Sequence, residues 1–117
     1  MTEPADPARW VRACATGDVA DGEGLRIATD PPVAVFRDGD ALFCADSTCT
    51  HDRFSLADGA VEDCAVECPA HAARFDLRTG AGTPPARGSV AVHAVRVDGD
   101  DVLVALPASY TVDDTGR

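Results

Sequence analysis

The chain has 117 residues, 45% of them apolar, enough for one domain and its core. Sixteen Asp and four Glu stand against ten Arg and no Lys, a net charge of −10, which excludes nucleic-acid and anionic-membrane binding and leaves a basic protein partner open. The core must be built from small side chains, 21 Ala and 13 Val against 6 Leu and 4 Phe, so packing alone leaves the domain marginal and a metal site would help hold it.

Residues 1–8 are polar and proline-bearing and read as flexible. They lack the basic start and apolar stretch of a signal peptide, and no apolar run approaches the ~20 residues of a membrane helix, so a cytoplasmic protein is expected. Trp10–Cys14 and Leu25–Thr29 are strand candidates, with Trp10 expected to pack at the start of the β base. Val33–Phe36 and Ala41–Cys44 flank Asp38-Gly39, the pattern of a tight hairpin. The stretch 47–86 holds three of the five Cys and two of the three His and few clear strands, as expected of a loop-rich subdomain set on a β base. Val90–Val97 and Val102–Leu106 flank a second hairpin turn at Asp98-Gly99, and Val95 and Val97 alternate with Arg96 at the period of a half-buried strand. Asp-Gly recurs at 21–22 and 58–59. Residues 108–117 again read as flexible. No window longer than about ten residues keeps helical periodicity free of Gly or Pro. The expected fold is all-β: a single domain over 1–117 with short antiparallel strands, a basal part over 9–46 and 87–107, and the loop-rich part over 47–86.

An odd number of cysteines argues against a secreted disulfide framework and for metal or redox chemistry. The informative set is Cys49-Thr-His51 and Cys68-Pro-Ala-His71, with sixteen residues between His51 and Cys68. Each half offers one thiolate and one imidazole. Zinc accepts such a Cys2His2 set, and so does a Rieske-type [2Fe–2S] cluster, with two Cys on one iron and two His on the other. Zinc fingers pair like ligands, whereas here each half mixes them, which suits two loops that each reach both irons.

These loops and their surroundings resemble the Rieske ferredoxins of bacterial aromatic-ring-hydroxylating dioxygenases, of the biphenyl and phenylpropionate/cinnamate type. The matching stretches are Gly22–Leu25, Val35-Phe36, Cys49–His51, Ser55–Gly59, Val66–Pro69, His71–Phe75, Arg78–Gly80 and Val95–Leu106. The resemblance implies three small antiparallel sheets with a cluster-binding subdomain at one tip. It implies one [2Fe–2S] cluster, with Cys49 and Cys68 on the inner iron, His51 and His71 on the outer iron, and Thr83-Pro84-Pro85 as a covering loop. It also implies a one-electron carrier, not itself an enzyme, working as a monomer between a flavoprotein ferredoxin reductase and a terminal oxygenase. The chain lacks the extra loop cysteines of the high-potential branch of that family, and Ala73 and Phe75 replace its usual Ser and Tyr donors. Asp52 and Ala72 stand where Gly is common.

The remaining candidates have plainer roles. Cys14, Cys44 and Cys64 read as packed or partly exposed thiols, with Cys64 a weaker alternative ligand, and His93 as a strand histidine. Rival readings are a small Rieske subunit stably bound to an enzyme such as nitrite reductase, a zinc-binding interaction module, and a redox sensor.

Overall fold

Short runs of β-branched and alternating residues, cut by Gly, Pro and Asp, fold into strands throughout the computed structural model, which describes residues 8–48, 55–68, 73–83 and 88–112. In chain order the strands are β1 (Ala8–Ala15), β2 (Gly24–Ile27), β3 (Thr29–Asp30), β4 (Val33–Asp38), β5 (Ala41–Asp46), β6 (Ala60–Glu62), β7 (Ala65–Glu67), β8 (Arg74–Asp76), β9 (Gly82–Thr83), β10 (Val92–His93), β11 (Val95–Asp98), β12 (Asp101–Pro107) and β13 (Thr111–Val112). They form three antiparallel sheets, β1–β12–β11, β10–β5–β4–β2 and β6–β7–β8–β9, and a β13–β3 ribbon. Two 3₁₀ turns, Thr16–Asp18 and Leu56–Asp58, are the helical pieces among the described residues. No helix there is long and apolar enough to cross a membrane.

β4 explains how the sheets stack. Successive strand side chains point to opposite faces. Val33 and Val35 pack with Cys14, Cys44, Val102, Val104 and Leu106 in the basal core. Ala34 and Phe36 pack with Ala45, Leu56, Val66, Cys68 and Phe75 in the second core. The middle sheet is therefore a wall buried on both faces, with the base on one side and β6–β9 on the other. A strand so placed reads as a continuous apolar run. Fully burying each large side chain contributes roughly 1.5–3 kcal/mol, and Val33, Val35 and Phe36 are all fully buried. In the basal core, burial pushes the Cys44 thiol up to about 12, with the nearby charges of Asp46 and Cys14 adding to it.

The Asp38-Gly39 hairpin forms as expected, with Asp38 opposite Ala41 and Gly39 at φ 60. Five expectations change. Val90–Val97 is not one strand. Ala94 separates β10, which pairs with β5, from β11, which pairs with β12, so the run passes from one sheet to another. Region 47–86 carries a complete four-stranded sheet, hidden from the sequence because its strands are two or three residues long. Asp58-Gly59 closes a 3₁₀ turn instead of a hairpin; the β6–β7 turn lies at Asp63 and Cys64, both at positive φ. The stretch 108–117, expected to be flexible, is anchored over its described part: Thr111 and Val112 pair with Asp30 and Thr29. Trp10, expected to pack, is 44% exposed and lies 4.5 Å beneath the Arg96 guanidinium.

Candidate metal centre

Register brings the roots of the predicted ligand loops together. Ala60, Glu67, Arg74 and Thr83 form one row across β6–β7–β8–β9. One residue beyond that row, at the same end of the sheet, stand Gly59, Cys68 and Ala73. Cys68 N–H donates to Ala73 O at 2.8 Å, joining the two described residues that flank segment 69–72. The Cys68 side chain is 1% exposed, in the core formed with Leu56, Val66, Ala73 and Phe75.

The first loop has a matching stem. Ser47 N–H donates to Pro32 O at 3.0 Å, Leu56 N–H donates to Ser47 O, and Thr48 bridges Ser55. The turn Leu56–Asp58 then leads to Gly59, at the end of the sheet that holds Cys68. Ser55 Oγ accepts from Ala57 N–H at 3.2 Å and so caps this turn. Gly82 N–H donates to Gly88 O at 3.1 Å and Ala81 bridges Ser89, so segment 84–87 is also closed at its root.

Of the four predicted ligands, Cys68 is described; Cys49, His51 and His71 lie outside the described residues, as do Asp52, Ala72, Pro84 and Pro85. The chemistry of the set fits a [2Fe–2S] cluster: two thiolates and two imidazoles, one of each per loop, on stems that converge at one sheet end. The buried, apolar seat of Cys68 suits the inner pair of thiolates.

The other cysteines fall elsewhere. Cys64 precedes β7 and Cys68 follows it, so a four-residue strand step of about 13 Å separates them. The N–H of Cys64 is held by Asp38 Oδ2 at 2.8 Å, at the opposite end of the sheet. Cys14 and Cys44 lie in the basal core, across the middle sheet from Cys68. His93 sits in β10 with its side chain 5% exposed, bonded through Nε2 to Asp46 Oδ1 at 3.0 Å. Asp46 and Tyr110, which complete that network, carried no sequence signal beyond Tyr110 being the only Tyr.

Near the opposite end of this sheet, Arg78 grips Asp76 through Nη2–Oδ2 at 2.9 Å and Nε–Oδ1 at 3.1 Å. Those bonds, together with the N–H of Arg78, hold the Asp76 carboxyl down to about 2. The pair keeps the turn after β8 in place at neutral pH.

Comparison with known proteins agrees with this geometry. The family described as "Rieske [2Fe-2S] domain" matches residues 9–105. The 3-phenylpropionate/cinnamic acid dioxygenase ferredoxin subunit of Escherichia coli (strain K12) is 41% identical over 99 residues, covering 83% of this chain and 93% of that protein. A chain in the solved complex of reduced oxygenase and oxidized ferredoxin in carbazole 1,9a-dioxygenase is 30% identical, with a TM-score of 0.76 and coverage of 89% of this chain and 97% of that one. The putative NADH-dependent nitrite reductase small subunit from Mycobacterium tuberculosis is 26% identical, with a TM-score of 0.77 and coverage of 86% and 97%.

Proposed function

Since this chain belongs to the Rieske [2Fe–2S] domain family, we propose that it carries single electrons from a flavoprotein ferredoxin reductase to a terminal aromatic-ring dioxygenase. The observation that carries this reading is the convergence of two Cys/His loop stems on one sheet end, around the buried Cys68. It is supported by 41% identity to a dioxygenase ferredoxin subunit over nearly that protein's whole length, and by a matched chain in an oxygenase–ferredoxin complex. The nitrite reductase small subunit match, at lower identity, makes a stably bound subunit the second reading. Co-purification with a large enzyme through gel filtration would favour it, because a carrier forms small, transient complexes.

Cys49 and Cys68 would hold one iron of the cluster, and His51 and His71 the other. The bound cluster supplies a reservoir for one electron. The chain supplies position and environment.

The same environment sets the potential. Ala73 and Phe75 are fully buried beside Cys68. Neither has a hydroxyl to donate to a cluster sulfur, and fewer such bonds stabilise the reduced form less. The expected midpoint potential is about −150 mV, the low end of the Rieske range. Potentiometric titration followed by visible absorbance tests this, and a value above zero would contradict it.

A further inference from the structure

We propose that Asp46 is a positioning residue for the first ligand loop, acting through a part-buried carboxylate–imidazole–phenol network; this rests on the reading of Cys49 and His51 as ligands. Asp46 is the last residue of β5, and three residues later the chain reaches Cys49. Its carboxylate accepts from Tyr110 Oη at 2.8 Å on Oδ1 and 3.0 Å on Oδ2. Oδ1 also meets His93 Nε2 at 3.0 Å, and the His93 and Tyr110 rings pack edge to face with centroids 5.2 Å apart.

The network gathers parts of the chain that are far apart in sequence. His93 comes from β10, opposite Cys44. Tyr110 follows β12, and its carbonyl accepts from Arg9 Nη2 at 2.8 Å, while Arg9 Nη1 bonds Pro107 O at 3.1 Å. Asp46 N–H bonds Ala91 O at 2.9 Å. The residue that opens the loop stem is thus tied by its side chain to the base, two residues before the Thr48–Ser55 bridge that closes the stem.

A role in stability alone explains the arrangement poorly. A hydrogen-bonded network fixes one geometry, which apolar packing by itself does not. On the second loop's flanks, Cys68 N–H bonds Ala73 O and both side chains lie in the apolar core. The first loop leaves from the edge of the basal core, and the polar network supplies the orientation there.

The test compares Asp46→Ala, Tyr110→Phe and Val104→Ala in the reconstituted full chain. Val104→Ala removes buried methyls from the basal core and serves as the control for lost stability. Three quantities are read: thermal midpoint by far-ultraviolet circular dichroism, rate of iron loss to a chelator, and visible circular dichroism of the oxidised cluster. Asp46→Ala is expected to speed iron loss about tenfold or more, the effect typical of removing an outer-shell partner, and to change the visible dichroism. Tyr110→Phe shifts both in the same direction by less. Val104→Ala lowers the midpoint while leaving the cluster's dichroism as in the wild type. Should Asp46→Ala fail to fold, Asp46→Asn carries the comparison and must show the same pattern. A variant at Asp46 that matches Val104→Ala in dichroism and iron loss at equal midpoint overturns the proposal. A wild-type chain that takes up no iron overturns the ligand reading and this proposal with it; an iron-loaded wild type with an indifferent Asp46 variant overturns this proposal alone.

Discussion

Replacing Cys68 with alanine is expected to abolish the cluster, while Cys64→Ala leaves it intact. Cys68 is nearly fully buried where both loop stems converge, and among the described residues the other cysteines lie in the basal core or at the far end of β7. The substitution itself is small. It removes one buried sulfur, a change close to a methyl deletion, and the fold should lose about 1 kcal/mol from packing. The larger effect is loss of a thiolate from a four-ligand set, which should leave the purified protein without visible absorbance. Cys64 is the sharp control because it lies only four positions earlier. It sits across the length of β7, with its backbone N–H held by Asp38. Iron and sulfide counts on both variants check the prediction. Cluster retained in Cys68→Ala, or lost in Cys64→Ala, would move the ligand to another cysteine.

The second large effect concerns Gly80→Ala. Gly80 adopts φ +86, and a Cβ built on it would lie 2.0 Å from Val90 O and 3.2 Å from Val90 C. Two costs therefore add. The left-handed backbone costs a non-glycine residue roughly 1–2 kcal/mol. The clash with the Val90 backbone must then be relieved, although Val90 N–H itself bonds Gly80 O at 2.9 Å. A total of about 3 kcal/mol or more is expected, a fall in thermal midpoint of roughly 12 °C for a domain of this size. Gly99→Ala separates the two costs: it has φ +65 with open space around it, so it should lose only the backbone share. Equal midpoints for the two variants would show that the strand after Gly80 does not lie as tightly against Val90 as described. The change also reaches the site, since Gly80 leads into β9 and so into segment 84–87.

The sequence reading succeeded where a feature is local and chemically singular. Asp38-Gly39 gives a hairpin because the turn needs positive φ and the flanking residues are apolar. The mixed Cys/His spacing points to the same cluster type as the family match, because few other centres use it. The reading missed what depends on distant segments. Val33–Phe36 looks the same whether one face or both are covered, and its two cores come from β12 and from β7–β8. The β6–β7 turn carries Asp63 and Cys64 at positive φ with no glycine to mark it, and the strands around it are Ala-Val-Glu triplets. His93 and Tyr110 lie 47 and 64 residues from Asp46 along the chain, so no window could join them.

The division of labour follows from the stacking of sheets. The base holds the middle sheet on one face, and the other face carries the short-stranded sheet whose end gathers the loop roots. Small side chains, chiefly Ala and Val, make both cores thin, so a bound cluster linking two loops would add stability as well as function.

The most direct measurement is the iron and acid-labile sulfide content of the chain, purified without a metal-binding tag and reconstituted anaerobically, together with its visible spectrum. A one-electron carrier of this family must give two irons and two sulfides per chain and a red-brown protein that bleaches on reduction. A colourless protein with one zinc and no sulfide would contradict the account and leave a structural metal-binding module in its place.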